Sequence, residues 1–360
     1  LLTLDSLGWN PTWARRFAPH ARPGVIPARI CVEHRNLYHF YTAHGEGTAA
    51  VSGRLRHEAH GRGDFPAVGD WVAVQSGING NGAAIVAVLP RSNKFSRKLA
   101  GREVDEQIVA ANLDTVFLVT SLNRDLNPRR LERYLAAAAT LNVAPVIVLT
   151  KSDLCDDIEA VAEPIRALAR DIPVHAVSAR TGDGLDALDP YLGTGRTVAM
   201  LGSSGVGKST LLNRLLGCDT AAVQAIRADD DRGRHTTTRR EMLPLPQGGL
   251  LIDNPGMREL QLWSDGAALD GTFADLAELA AGCRYADCTH NHEPRCAVQQ
   301  AIADGLLDAE RLESYRKLER EAAYLETQCD DHAARKRKER DRRIHRIMNK
   351  AMRRRYAPEA

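Results

Sequence analysis

Gly202-Ser203-Ser204-Gly205-Val206-Gly207-Lys208-Ser209 is the stretch whose reading decides the fold of this chain. It fits G-x-x-x-x-G-K-[ST] without a mismatch, between the apolar run Thr197–Leu201 and a segment, Thr210–Leu216, that reads as a helix. The glycines let the backbone turn so that its N–H groups converge on phosphates, and the helix N-terminus adds positive potential. Residues Gly202, Ser203, Ser204, Gly205, Val206, Gly207, Lys208, Ser209 and Thr210 are therefore expected to hold a nucleotide. Lys208 should reach the β- and γ-phosphates and Ser209 should hold Mg2+. Such a loop belongs in a parallel α/β sheet, and its surroundings agree. Thr115–Thr120, Val146–Thr150, Val174–Ser178 and Leu250–Ile252 read as strands, with Pro128–Leu141 and Ile158–Arg170 as helices. The alternation predicts a doubly wound sheet.

Upstream of this loop, after the apolar run VIVLT, stands Thr150-Lys151-Ser152-Asp153. It resembles the [NT]-K-x-D base-recognition motif of GTPases. A carboxylate at a strand end can accept from both guanine N1–H and the exocyclic amine; adenine offers no such pair, and an unpaired buried carboxylate is costly. Ser178-Ala179-Arg180 matches the loop after the next strand, so Ser178 and Ala179 join the expected base site. The order is rotated relative to ordinary GTPases, because the base motif precedes the phosphate loop and Asp253-Asn254-Pro255-Gly256 follows it. A site made of strand-end loops depends on geometry rather than chain order. Asp253 is expected to hold Mg2+ through water, and Gly256 N–H to sense the γ-phosphate. Between them, Arg232–Arg239 is polar and suits an effector loop, with Thr236, Thr237 or Thr238 closing on Mg2+; Thr237 is the middle choice. Met257 stands where ordinary GTPases often carry a water-orienting Gln, which makes His235 the local candidate for that role.

Cys283-x4-Cys288-x-His290-x5-Cys296 places three thiols and an imidazole within fourteen residues. This soft donor set suits one tetrahedral, structural Zn2+, with His292 as a competing ligand.

The 360 residues are 44% apolar and 26% charged, which excludes a collagen-like or wholly disordered chain. No run is long and apolar enough for a membrane span, the first twenty residues hold no signal-peptide core, and seven cysteines do not make a disulfide framework. A cytoplasmic monomer without a membrane partner is expected. Net charge is +2, but twelve Lys/Arg face two acids between Arg335 and Arg355, leaving 36 bases and 44 acids elsewhere. That +10 tail on a −8 body points to a polyanionic partner.

Residues 1–25 read as an irregular arm. Ile30–Glu33, Leu37–Tyr41, Thr48–Leu55, Asp70–Gln75 and Ala84–Leu89 read as five short strands, the pattern of an OB-like barrel. Arg91–Lys98 reads as a basic loop whose Phe95 could stack on an unpaired base.

Taken together, the barrel, TKSD, GSSGVGKST, DNPG, GRHTTTR and C-x4-C-x-H-x5-C resemble the ribosome small-subunit-dependent GTPase family (RsgA, also called YjeQ) over roughly Arg29 to Tyr324. The resemblance implies an arm (1–25), an OB-like barrel (26–98), a circularly permuted P-loop GTPase domain (99–264), a mainly helical zinc domain (265–330) and a basic tail (331–360). It also implies GTP hydrolysis to GDP in late small-subunit maturation, with rRNA binding and stimulation by the subunit. Two rivals are weighed: a GTP-dependent zinc-delivery protein, against which chelator-resistant zinc would count, and an RNA-binding scaffold with little turnover, against which the intact Lys208, Ser209 and Asp253 count.

Overall fold

Ten consecutive residues, Val25–His34, form a strand long enough to be shared by two sheets (β1). The computed structural model describes residues 2–34, 37–77, 82–98, 106–123, 126–141, 143–217, 240–253, 269, 271–291, 293–324 and 327. From β1 the chain continues through β2 (Leu37–Thr42), β3 (Gly45–Val51), β4 (Trp71–Gln75) and β5 (Ala83–Val88). Pairing runs β1-β2-β3-β5-β4 and back to β1, which closes a five-stranded barrel; only β3 and β5 are parallel. Alternate residues Ala28, Ile30, Tyr38, Phe40, Val72, Val74 and Ile85 fill its interior. Gly47 is required there, since a Cβ would lie 2.5 Å from Cζ of Phe40.

Thr48–Leu55 is not one strand. Ser52 Oγ accepts the Leu55 N–H at 3.2 Å and caps a short helix, α2 (Gly53–Glu58), so β3 ends at Val51. Nor are residues 1–25 irregular throughout. Asn10 Oδ1 accepts from Thr12 N and Trp13 N, and Pro11 starts the helix α1 (Pro11–Phe17). This helix seats Trp9 and Trp13 against Trp71 of β4, with Trp9 and Trp71 centroids 4.7 Å apart.

Arg91–Lys98 is likewise more ordered than a basic loop. Its second half is β6 (Lys94–Lys98), paired antiparallel with β7 (Glu106–Ala111). Phe95 is 2% exposed in the apolar core, so it is not a stacking platform. Arg91 binds the fully buried Asp70 through two bonds of 2.8 and 2.6 Å.

The second sheet orders β10 (Val174–Ala176), β9 (Ala144–Thr150), β8 (Thr115–Ser121), β11 (Thr197–Leu201) and β13 (Leu250–Asp253), all parallel. β12 (Glu241–Pro244) runs antiparallel beside β13 and meets Val32 of β1, which joins the two sheets. Every residue of β8 is buried because both faces are covered. Val116 and Leu118 share one core with Leu131 and Leu135 of α3 (Pro128–Thr140) and with Ile165 of α4 (Ile158–Ala169). Phe117 and Val119 belong to a second core with Leu211, Leu212 and Leu215 of α5 (Lys208–Leu215). The expected doubly wound arrangement is present.

Beyond the sheet lie α6 (Ala274–Ala280), α7 (Ala297–Ala303) and a helix over residues 309–324, α8. Phe273, Leu276, Val298, Ala301, Leu312 and Leu318 are buried among them. A charged junction fastens α8 to the sheet domain: Arg311 on α8 contacts Glu132 of α3 at 2.8 Å and Asp275 of α6 at 2.5 Å, and Glu132 is fully buried. No helix among the described residues is long and apolar enough to cross a membrane.

Candidate functional site

Parallel strands bring their carboxyl ends to one edge of the sheet, and β8, β9, β10, β11 and β13 end there at Ser121, Thr150, Ala176, Leu201 and Asp253. The rotated chain order therefore does not scatter the loops. The stretch Gly202–Gly207 links β11 to the N-terminus of α5. Gly202 admits no side chain, because a Cβ would lie 2.3 Å from the Val119 carbonyl of β8; Gly207 turns at φ +96°. Lys208 Nζ lies over the loop and donates to the Gly202 carbonyl at 2.7 Å and the Ser203 carbonyl at 2.5 Å. The ammonium thus stands where oxygen acceptors converge, and Ser209 follows it in the first turn of α5.

The TKSD segment is tied to this loop rather than merely near it. Thr150 Oγ1 donates within reach of two carbonyls, Thr120 at 3.1 Å and Val206 at 2.5 Å. The hydroxyl that Thr shares with no apolar residue is what makes this link. Lys151 turns left-handed at φ +60° and extends Nζ to the Gly205 carbonyl at 2.6 Å. Its stem so bridges the two loops. Ser152 is buried, with its N–H on the Val177 carbonyl. Asp153 keeps its carboxylate largely covered, side chain 14% exposed, and Ser178 Oγ donates to Oδ1 at 2.7 Å. Ser178 is itself fully buried and receives the Thr181 N–H at 3.1 Å, which orients that hydroxyl; Ala179 packs half-buried beside it. Arg180 stands 3.9 Å from Oδ2. The arrangement holds one carboxylate in a fixed direction beside a phosphate-binding turn.

Asp253 ends β13, half-buried. Gly256, His235 and the three threonines Thr236, Thr237 and Thr238 lie outside the described residues, as do Met257 and the tail 331–360. One contact was not legible in the sequence: Tyr134 of α3 places its OH 3.4 Å from Ser203 Oγ, so α3 touches the phosphate loop. No local motif marks it, since Tyr134 reads only as an apolar helix position.

The four sulfur and nitrogen donors of Cys283, Cys288, His290 and Cys296 lie within 4.8 Å of one another. A tetrahedral zinc with Zn–S near 2.3 Å and Zn–N near 2.0–2.1 Å demands S···S edges of about 3.8 Å and S···N edges of about 3.6 Å. Here Cys283 and Cys296 Sγ are 3.8 Å apart, and His290 Nδ1 is 3.6 and 3.4 Å from them. The donor set fits zinc. Burial and the adjacent Cys296 and Cys283 push the Cys288 thiol up to about 11. Burial also raises Cys283, but backbone N–H groups of Val298 and Ala297 outweigh it and hold that thiol below its ordinary value. Three thiols this close ionise together only beside a cation.

The loop carrying His290 is built around Glu293, whose carboxylate accepts from Thr289 N and Asn291 N at 2.9 Å and from the Thr289 hydroxyl. These bonds, the Thr289 hydroxyl foremost, hold Glu293 down to about 2. Arg316 of α8 donates to the Thr289 and His290 carbonyls at 3.1 and 2.7 Å, clasping the loop to the helix.

A family model described as RsgA GTPase matches residues 88–263, and one described as ABC transporter matches residues 185–355. Both matches contain the phosphate loop, which is common to P-loop proteins and does not separate them. Full-length relatives do. A small ribosomal subunit biogenesis GTPase RsgA of Opitutus terrae is 49% identical over 353 residues, covering 96% of either chain. The small ribosomal subunit biogenesis GTPase RsgA 2 of Lactiplantibacillus plantarum is 50% identical over 323 residues, 90% of this chain and 91% of that one. Among solved structures, YjeQ from Thermotoga maritima aligns with a TM-score of 0.60 and 26% identity, over 83% of this chain and 99% of that one. YloQ, a circularly permuted GTPase, aligns at 0.57 and 25%, over 84% and 97%.

Proposed function

Because the chain belongs to the RsgA GTPase family, we propose that it hydrolyses GTP to GDP and phosphate in the late maturation of the small ribosomal subunit, binding its rRNA and being stimulated by it. The observation that carries the residue assignment is the pair of links from TKSD to the phosphate loop, Thr150 to Val206 and Lys151 to Gly205. They support the reading by tying the segment that carries Asp153 to the Gly202–Gly207 loop. Asp153 accepts from guanine, oriented by Ser178, while Lys151 lies along the base, with Thr150, Ser152 and Ala179 shaping the seat. Gly202–Ser209 and Thr210 hold the phosphates, with Lys208 neutralising the charge that develops on them. Ser209 and Asp253 would hold Mg2+, which supplies Lewis-acid neutralisation of the β- and γ-phosphates. Gly256, Thr237 and His235 complete the assignment from sequence as γ-phosphate sensor, magnesium ligand and water-orienting group.

Residues 26–98 serve as the barrel, 99–264 as the GTPase domain and 265–330 as a zinc domain, with one zinc on Cys283, Cys288, His290 and Cys296. Four protein donors within 4.8 Å of one another, three of them at tetrahedral spacing, favour a structural ion over the open site that a zinc-delivery protein needs. The protein acts as a cytoplasmic monomer.

Turnover of GTP with and without purified small ribosomal subunits tests the proposal. Stimulation by the subunit is expected; equal rates would overturn it. Nucleotide choice is tested at Asp153. Asp153→Asn removes one charge-assisted hydrogen bond worth roughly 1.5–3 kcal/mol, so GTP binding should weaken about ten- to a hundredfold. Xanthine nucleotide, whose C2 oxygen replaces the amine, should lose far less. Equal GTP affinity in mutant and wild type would remove TKSD from the site.

A further inference from the structure

We infer that the cleft between α3 and α8 is a seat for an RNA phosphate backbone, placed so that its occupant bears on the phosphate loop. The inference rests on the proposed function and names where part of that rRNA contact is made. The cleft encloses about 1080 Å³ and reaches Ser203 at one end. One wall presents Arg129, Arg130 and Arg133 of α3; the other presents Arg316, Lys317 and Arg320 of α8. The acids in the lining are Glu310 and Glu313; Glu132, Asp308 and Glu321, just outside it, pair with Arg129 and Arg133.

Three features separate this lining from an ordinary solvated face. Each wall repeats a like-charged pair at i,i+4, Arg129 with Arg133 and Arg316 with Arg320, a spacing that costs a helix a few tenths of a kcal/mol per pair. The cations are also unequally engaged. Arg129 and Arg133 pair across the cleft with Asp308 and Glu321, and so hold the walls at their separation. Lys317 is exposed and makes no hydrogen bond or ion pair with any described residue, and Arg320 spends one N–H on the Arg316 carbonyl at 3.1 Å. Finally, α3 begins at the cleft with Asn127 as its cap and no acid in its first turn, so the helix terminus adds to the positive potential.

The charges run along two facing helices rather than converging on one point, which suits a chain of phosphates better than a single anion. Guanidinium forks match phosphate oxygens. The chain's own tail cannot serve as the occupant: it carries +10. At the far end, Tyr134 OH stands 3.4 Å from Ser203 Oγ. A backbone seated between α3 and α8 presses on the helix that touches the phosphate loop, giving a route from RNA contact to the rate of hydrolysis.

The test is the double charge reversal Lys317→Glu with Arg320→Glu in the full-length, zinc-loaded protein. Both residues are exposed and outside the interdomain ion pairs, so melting and zinc content should match wild type. Binding is measured against salt concentration with purified small subunits and, separately, with a short RNA duplex. Affinity for each should fall about tenfold or more, and the salt slope should shrink by about 2, one per lost phosphate contact. Stimulation by the subunit should fall in parallel. Unchanged affinity in both arms would overturn the cleft assignment. Lost subunit binding with unchanged duplex binding would also overturn it, by assigning the cleft to an acidic protein segment. Wild-type protein that binds the duplex through these residues but ignores subunits would leave the cleft standing and remove the ribosomal reading.

Discussion

Cys288→Ser should strip the metal from the protein and unfold the α6–α8 region while the sheet continues to bind GTP. The expectation follows from how each part is held. One sheet core, with Phe117, Val119, Val146, Val148, Leu211, Leu212 and Leu215, lies wholly within the sheet domain; the other, closed by α3 and α4, runs on into the α6–α8 side chains. The region beyond it relies on a few buried side chains, Phe273, Leu276, Val298, Ala301, Leu312 and Leu318, and on a loop turned through left-handed residues at His290 and Arg295. The Glu293 bonds and the Arg316 clasp fix the turns around Thr289 and His290, while the metal would tie Cys283, Cys288 and Cys296 to them. Structural zinc contributes an apparent 10–16 kcal/mol in small peptide sites, so losing a ligand is roughly equivalent to losing the folding energy of a small domain. Metal analysis should fall from one zinc per chain to none, and limited proteolysis should open residues within 271–324 while GTP protects the sheet. Zinc retained at one per chain in the variant, or an α6–α8 region that stays protected without it, would refute the structural role. An effect on nucleotide affinity is expected to stay small, because the links from Thr150 and Lys151 to the phosphate loop lie within the sheet domain.

The nucleotide and metal motifs were legible because each is a local pattern whose chemistry needs close spacing. GSSGVGKS needs glycines at fixed offsets, and Cys283, Cys288, His290 and Cys296 lie close enough in sequence for their donor atoms to come together. The strands were legible where alternation was clean, and their doubly wound order followed from the helices between them. The misreadings have a common cause. Phe95 sits among Arg91, Lys94, Arg97 and Lys98 in sequence and looked solvent-facing, yet pairing with β7 turns it into the core. Arg91 looked like a nucleic-acid contact, but Asp70, twenty-one residues away, draws it inward. Arg29 is 2% exposed on β1 and donates to the carbonyls of Leu7, Gly69 and Asn112, with burial lowering it to about 10 despite Asp114 and Asp70. A charge is buried only when distant partners converge on it, and no local pattern carries that information. The helix of the arm rests on a short signal, Asn10-Pro11, a cap followed by a helix-starting proline.

Arg91→Met should destabilise the barrel by about 3–5 kcal/mol, the usual cost of removing one partner from a buried ion pair. Arg91 makes four bonds at once: two to the Asp70 carboxylate at 2.8 and 2.6 Å, one to the Gly63 carbonyl at 2.7 Å and one to the Phe65 carbonyl at 2.8 Å. Without it Asp70, fully buried, keeps the Ala67 N–H at 2.8 Å and a long contact to Asn112 at 3.5 Å. Burial already raises the Asp70 carboxyl above its ordinary value, and Arg91 is the main group opposing that rise. Its removal therefore moves the folded-state value higher still. A raised carboxyl binds more protons folded than unfolded, so stability falls as pH rises from the unfolded value through the folded one, and returns as pH is lowered. The variant should thus recover part of its loss in mild acid, where a defect of packing alone would not. Asp70→Asn placed beside Arg91→Met should cost less than the sum of the two single changes, because the unpaired charge is gone. Urea midpoints for the wild type, both single variants and the double, read at neutral and mildly acidic pH, decide the matter. A pH-independent loss in Arg91→Met, or strict additivity in the cycle, would mean that Arg91 acts through its carbonyl contacts and not through the buried carboxylate.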